Sequence, residues 1–306
     1  MGQISPALLQ STFYGFNTVF KDAYTASPTY CDAFTQTRPS KGKQEFYAFL
    51  AKLPKFRKWV GERVWHNLTA YVQSVENVDW EDGVEVDRND IEDDQLGIYS
   101  DSIRLLAEQA KQLWDDRVVA KLQAGTTTVV FDGQYFFDVD HPVNKYDPAT
   151  TTQSNYFTSR ALTLANYEYV RQAMMSLVGE DGHPLGIVPS LLVVPPQLEG
   201  TGKRILEAGI ILQDGTGSAG VTNVQAGSAK LLVNPKLANA PTEWYLMDVS
   251  KPVKPMVKQI RRAPNFVALD QPTMDNVVNL KKYRYGSDAR GEAGYGLWQL
   301  AAKAAA

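Results

Sequence analysis

Cysteine is almost missing: Cys31 stands alone in 306 residues, so no intramolecular disulfide framework exists and a reducing compartment is expected. Histidine is nearly as scarce. His66, His141 and His183 are the full set, and none has a second His or Cys at ligand spacing, which argues against a zinc site. No apolar run approaches the roughly 18 residues of a membrane span. The opening MGQISPALLQS lacks the Lys or Arg that begins a signal peptide, and Pro6 stands where a myristoylation motif wants Ser or Thr. Nor is there an excess of one charge: 31 basic and 34 acidic residues leave a net −3, so no global field draws the chain to nucleic acid or a membrane surface. These absences predict a protein made and kept in the cytoplasm. With 44% hydrophobic and 21% charged residues, the chain can build one large core or two modest domains.

Charge is present locally. ENVDWEDGVEVDRNDIEDD, from Glu76 to Asp94, carries ten acidic residues and one basic one, Arg88. The alternating Val84 and Val86 after Asp82-Gly83 mark part of a strand or hairpin rather than an acidic tail. Together with TAYVQSV before it, the segment from Val64 to Ile91 reads as a long hairpin. Residues 1 to 62 read as an extended arm with short helices; eight Lys/Arg lie between Arg38 and Arg63, against Glu45 and Glu62 alone. KQEFYAFLAKL places Phe46, Phe49, Leu50 and Leu53 at helical spacing with Pro54 as a stop.

The strongest helix signal follows, with Ser100 and Asp101 as caps and Ile103, Leu106, Ala110, Leu113, Trp114, Val118 and Leu122 at spacings of three and four up to Gly125. TTTVVFDGQYFF predicts a hairpin turning at Asp132-Gly133. A helix is expected over Leu164 to Val178, a buried strand at SLLVVPP, a helix at QLEGTGKRILEAG, and strands at AKLLVNP, EWYLMDV and GYGLWQLAAKA. The terminal AAKAAA also has helical composition. This order of elements predicts an α+β fold.

Motifs that carry chemistry are absent or out of context. GTGSAG, Gly215 to Gly220, matches a dinucleotide fingerprint as a string, but no βαβ unit surrounds it, so it reads as a loop. Asp138, Asp140 and His141 could be drawn as a metal cluster or half a triad; a loop that ends a strand is the plainer reading. Cys31 lacks any signature of an activated thiol. Lys251, Lys254, Lys258, Arg261 and Arg262 form a basic run suited to nucleic acid, a solvated strand or a protein contact. No catalytic, cofactor-binding or metal-binding residue is assigned, and no enzyme is expected.

Four phrases in order, LAKLPKFRKWVGERVWHNLTAY, VEVDRNDIEDDQLGIYSD, HPLGIVPSLLVVPPQLE and YRYGSDARGEAGYGLWQLA, resemble the major head subunit of Mu-like bacteriophages and prophages. That family, the T protein, is a branch of the capsid fold typified by phage HK97. The resemblance covers about residue 27 to residue 301 and implies a layout: an N-terminal arm over 1–63, an extended hairpin loop over 64–95, a peripheral domain with a long spine helix over 96–160, an axial domain over 161–250, and a return to the peripheral domain over 251–306 with Gly294 to Leu300 as its last strand. It implies an icosahedral head built of hexamers and pentamers of the chain, enclosing double-stranded DNA without binding it tightly. It also implies assembly in the bacterial host cytoplasm and scaffold, portal and decoration partners.

Within that layout the acids of the loop, Glu76, Asp79, Glu81, Asp82, Glu85 and Asp87, are expected to dock on basic residues of a neighbouring copy. Candidates are Arg57, Lys58 and Arg63, or Lys254, Lys258, Arg261 and Arg262. The alternative is that the acids only keep a protruding loop soluble. Some capsids of this fold join subunits through a loop lysine; none occurs between Trp59 and Ala110, which predicts a shell without covalent links. An encapsulin-like nanocompartment and, from GTGSAG alone, a nucleotide-binding enzyme are the competing readings.

Overall fold

The computed structural model describes residues 6–50, 70–92, 97–144, 147, 150–180, 182–212, 220–271 and 273–306. Arg57, Lys58, Arg63, His66 and most of GTGSAG lie outside the described residues.

The chain begins with a 21-residue helix, α1 (Pro6–Ala26), where the sequence predicts an extended arm with short helices. Leu9, Phe16 and Phe20 are buried, and with Phe13 they recur every three or four residues as one apolar face. Phe16 meets Tyr285 edge-on at 5.1 Å and Phe20 meets Phe266 at 5.2 Å between ring centroids. Each buried aromatic contributes about 1.5–3 kcal/mol, which outweighs the poor helix propensity of Gly15 and the threonines. The Thr12, Thr18 and Thr25 hydroxyls donate to carbonyls four residues back and so stay compatible with the helix.

The next elements are β1 (Thr35–Pro39), β2 (Gln44–Leu50), β3 (Ala70–Glu76), β4 (Val78–Asp87), a short α2 (Arg88–Glu92) and the long α3 (Gly97–Gln123). Two expectations are corrected here. QEFYAFL is a strand, not a helix: β2 pairs antiparallel with β3, Phe46 opposite Ser74 and Tyr47 opposite Gln73. Its closely spaced aromatics satisfy either period, and pairing settles which one applies. The hairpin expected over Val64 to Ile91 does not form between its own two halves, since β3 turns to β2 while β4 pairs antiparallel with a distant strand. Helix α3 starts a turn before Ser100 and Asp101, which therefore do not cap it. Its 27 residues make it about 40 Å long at about 1.5 Å per residue. The expected stripe is present: Ile103, Leu106, Trp114, Val118 and Leu122 are buried.

After α3 the turn at Asp132-Gly133 forms as expected, with Gly133 at φ +98° and Val129 bridging Tyr135. Gly125 has a packing reason: a Cβ there would stand 2.5 Å from the Phe137 ring. The remaining elements are β5 (His141–Pro142), β6 (Thr152–Gln153), β7 (Tyr156–Phe157), α4 (Leu164–Met175), β8 (Leu191–Val194), α5 (Glu199–Leu206), β9 (Ile210–Leu212), β10 (Gly220–Thr222), β11 (Lys230–Val233), β12 (Glu243–Met247), β13 (Met256–Leu269), α6 (Asp275–Val278), β14 (Lys282–Tyr295) and β15 (Ala301–Ala305).

Two sheets organise the molecule, a four-stranded one in the order β1-β13-β14-β4 and a five-stranded one in the order β11-β8-β12-β15-β7. SLLVVPP supplies β8, buried at every position from Leu191 to Val194. The expected last strand over Gly294 to Leu300 is corrected: β14 ends at Tyr295, Trp298–Leu300 is a 3-10 turn, and AAKAA forms β15 between β12 and β7. Three of its alanines are buried; small residues fit a crowded sheet centre, so packing overrides their helical preference. Two cores form, the larger one also taking in Met256, Ala293 and Tyr295 of the four-stranded sheet, and α3 serves both. Ile103, Leu106 and Ala107 pack with α1 and the four-stranded sheet, while Val118, Val119 and Leu122 join the core around the five-stranded sheet.

Candidate inter-subunit surfaces

The acidic segment lies on β4, an edge strand of the four-stranded sheet. Alternation divides it into two faces. Val86 is buried and Trp80 half-buried, the latter donating from its indole nitrogen to the Gly291 carbonyl at 3.1 Å. Asp79, Glu81, Glu85 and Asp87 share the other face, and each is opposite a β14 residue in register: Arg290, Asp288, Arg284 and Lys282 respectively.

Much of the acidic charge is thus answered within the chain. Glu85 accepts from Lys282 at 2.6 Å and pairs with Arg284 at 2.8 Å; these hydrogen bonds, Lys282 first, hold its carboxyl below the usual glutamate range. Asp79 lies 3.5 Å from Arg290 and 3.8 Å from Arg262, and Glu76 pairs with Lys43 at 3.0 Å. Asp82 and Asp87 accept from the backbone N–H groups of Gly83 and Asn89, both at 2.8 Å. Glu81 differs. It stands across from Asp288, a like charge, and has no ion-pair partner among the described residues. Residues Lys282, Arg284 and Arg290 escaped the sequence reading, although their two-residue alternation matches that of the acids.

The basic run is also committed internally. Lys258, only 8% exposed, bonds Asp32. Burial alone would raise the Asp32 carboxyl, but the hydrogen bonds from Lys258 and Thr29 prevail and lower it. Lys254 donates to the Val249 carbonyl, Arg261 to the Gly42 carbonyl at 3.1 Å, and Arg262 pairs with Asp288 at 2.5 Å. Arg57, Lys58 and Arg63, the other candidates, fall outside the described residues.

The hairpin of β2 and β3 stands apart from the two large sheets in its pairing, while Tyr47 and Val75 pack it onto the body. β2 pairs with β3 alone among the described strands, and Phe46 is 67% exposed. Its root is a buried polar junction. The Gln259 amide donates to the Val75 carbonyl at 3.1 Å and to Asn77 Oδ1 at 2.7 Å, and accepts from the Tyr47 hydroxyl at 2.8 Å. Asn77 in turn donates to Ser40 Oγ and the Gly42 carbonyl. Burial, with Glu45 nearby, pushes the Tyr47 phenol up to about 12, so it stays a donor. Its strands are Gln44–Leu50 and Ala70–Glu76, and the sequence between them includes Lys52, Lys55 and Lys58.

Catalytic geometry does not assemble around His141. Its Nδ1 lies 2.6 Å from Asp132, its Nε2 lies 3.2 Å from Asn155 Oδ1, and its ring stacks on Trp298 at 3.8 Å. Asn155 occupies the place a nucleophile would need, while its Nδ2 donates to the Phe136, Trp298 and Ala301 carbonyls. The network is a strut between the Asp132 turn and β15. Burial, with Asp115 beside it, pushes the Cys31 thiol far up, and an unionised thiol is a poor nucleophile. Among the described residues no group of three or more His, Cys, Asp or Glu is placed to hold a metal, and no helix is long and apolar enough to cross a membrane.

Comparison with known proteins fits a structural role. The chain is 28% identical over 301 residues to the Mu-like prophage FluMu major head subunit of Haemophilus influenzae, covering 98% of this chain and 74% of that one. It is 24% identical over 298 residues to the major capsid protein of Escherichia phage Mu, covering 97% and 73%. A chain of the bacteriophage JBD30 procapsid superposes with a TM-score of 0.63 at 26% identity, over 99% of this chain and 76% of that one. A virus-like particle from Pyrococcus furiosus, at TM-score 0.53 and 9% identity over 95% and 98%, shares the fold. The α+β architecture is accordingly the HK97-like fold of phage capsid proteins. The family described as Mu-like prophage major head subunit gpT matches residues 9–161, 153–237 and 236–306; the chain belongs to that family, and it is a major head subunit that forms the capsid shell and not an enzyme.

Proposed function

We propose that copies of this chain assemble in the host cytoplasm as hexamers and pentamers of an icosahedral head that encloses double-stranded DNA. The observation that carries the assembly part is the β2–β3 hairpin, a two-stranded ribbon with an exposed Phe46 and a rigid polar root. An isolated ribbon is barely stable in water, so one that pairs with neither large sheet needs a second surface. We take it as the extended loop that lies on an adjacent copy, in place of the 64–95 segment, and assign β4 to the body beneath.

The rest of the layout follows this assignment. Helix α3 is the spine of a peripheral unit with the four-stranded sheet, and the five-stranded sheet with α4 and α5 forms the axial unit that meets its copies around a capsomer axis. The related JBD30 capsid is described as decorated with minor capsid protein trimers; a decoration protein, a scaffold and a portal are proposed partners here too. The net charge of −3 agrees with an inner surface that does not hold DNA tightly, since each neutralised phosphate adds affinity.

The test is direct. The purified chain is incubated at increasing concentration and followed by light scattering and negative-stain microscopy, beside a variant carrying Phe46→Glu. Shells or capsomers from the parent chain and none from the variant support the reading; unchanged assembly of the variant overturns the role of the hairpin.

A further inference from the structure

His141 is fully buried, and its surroundings fix where its protons sit. The Asn155 side chain sets the first one. One end of its amide lies 2.8, 3.2 and 3.1 Å from the carbonyl oxygens of Phe136, Trp298 and Ala301; carbonyls only accept, so that end is the nitrogen. The other end is the oxygen, and it already accepts the Asp138 backbone N–H at 2.9 Å. His141 Nε2 stands 3.2 Å from that oxygen, so Nε2 carries a hydrogen. On the far side of the ring, Nδ1 stands 2.6 Å from Asp132 Oδ2, while Asp132 Oδ1 accepts the Gln134 N–H at 3.1 Å. A bare Nδ1 against a carboxylate would set two lone pairs face to face, away from any solvent to soften the repulsion. A second hydrogen therefore lies between Nδ1 and Oδ2. An imidazole is ordinarily the stronger base, protonating at about 6.5 where an aspartate protonates at about 3.9, which places that hydrogen on the ring.

We infer that Asp132 and His141 form a proton-held latch: a buried imidazolium, bonded through both ring nitrogens, ties the Asp132 turn to β15, and withdrawing its Nδ1 proton releases the turn. The rest of the site fits a positive ring. It stacks on Trp298 at 3.8 Å and 8°, and an indole face attracts cations. Two further acids stand nearby: Asp140, next to His141 in the chain and in electrostatic reach of it, and Asp138, whose carboxyl meets that of Asp140. Asn155 completes the tie, since its amide also holds the Ala301 carbonyl at the start of β15. What the latch holds is exposed on its outer side. The turn carries Val129 and Tyr135, 57% and 43% exposed, and Val129 to Phe131 wall an open groove with β3. In the unfolded chain this histidine gives up its proton like any other, so the latch stabilises the fold most in mildly acid solution and progressively less above about pH 6.5.

Two measurements on the full-length subunit test the latch. Asp132→Asn keeps the shape of the site: the amide oxygen can still accept from Gln134 and the amide nitrogen can donate to a bare Nδ1, so the variant needs no extra proton. The equilibrium constant for unfolding, from urea titrations, is expected to rise with pH more steeply in the parent chain than in the variant, by up to about tenfold per pH unit above about pH 6.5. A difference between the two chains that does not change with pH is what a merely structural contact gives, and it overturns the latch. The second measurement needs no variant. With the histidine ring nitrogens ¹⁵N-labelled, both nitrogens of His141 are expected to carry hydrogen at about pH 8, where an ordinary histidine has lost one. A bare Nδ1 beside an ionised Asp132 carboxyl, read from its ¹³C shift, overturns the latch; a bare Nδ1 beside a protonated carboxyl overturns the placement of the charge on the ring.

Discussion

Glu85 and Arg284 stand directly opposite each other on β4 and β14 and close an ion pair at 2.8 Å. With Lys282 on the same carboxylate, the pair fastens the acidic edge strand to the body of the same subunit. Its worth depends on ionisation. The Glu85 carboxyl titrates below the ordinary value of 4.5 when folded, so its contribution is present above that value and is lost as pH falls through the lower, folded one. Asp32, lowered by Lys258 and Thr29, acts in the same direction. Hydrogen-exchange protection of β4 amides should fall on acidification through this range while that of β8 persists; equal loss in both strands would contradict it.

Reversing the β4 acids should separate two effects. Glu85→Lys places a cation against Lys282 and Arg284 and should lower the melting temperature of the unassembled subunit. Glu81→Lys relieves the repulsion from Asp288 and should leave that temperature unchanged or raised. Differential scanning calorimetry of the two variants checks the contrast.

Helix α1 should be a fixed part of the fold. Phe16 is 4% exposed and packs on Tyr285, so Phe16→Ala should cost about 3–5 kcal/mol. Urea unfolding of the subunit would measure it, and a change below about 1 kcal/mol would mean that α1 is a loosely held arm.

The Gln259 junction at the hairpin root is buried and fully hydrogen-bonded. Gln259→Met removes the Tyr47 acceptor and both donors, and leaving such groups unpaired costs about 1–3 kcal/mol each. The folded subunit should survive with its hairpin loosened, so limited proteolysis should cut near 44–76 faster than in the parent chain.

His141→Leu should be severe. It removes the partner of Asp132 Oδ2, on a side chain 4% exposed, and leaving a buried polar group unpaired costs about 1–3 kcal/mol. Loss of the strut frees the Asp132 turn from β15, and near-ultraviolet circular dichroism from Trp298 should report it.

Periodic signals survived into the structure wherever one element made its own case. The stripe from Ile103 to Leu122 was sufficient to identify α3, and the four apolar residues of β8 needed only their flanking prolines and loops to be recognised. The ordered phrases from Leu50 to Ala301 pointed to the capsid fold without any residue's partner being known, because each phrase is local. The sequence by itself thus determined the fold class, the long helix α3 and the buried strand β8.

Pairing over long distances was decided by tertiary structure alone. QEFYAFL fits a helix or a strand until β3 is beside it, and AAKAA is helical by composition until β12 and β7 enclose it. Glu85 and Asp79 looked unanswered because their cations, Lys282, Arg284 and Arg290, lie about two hundred positions further along the chain. Local propensities are worth a few tenths of a kcal/mol to about 1 kcal/mol per residue, and burial of a single aromatic in a distant core exceeds that. Strand partners are set by such burial, which is why the pairing of β2 with β3, and of β4 with β14, became visible only once the chain was folded.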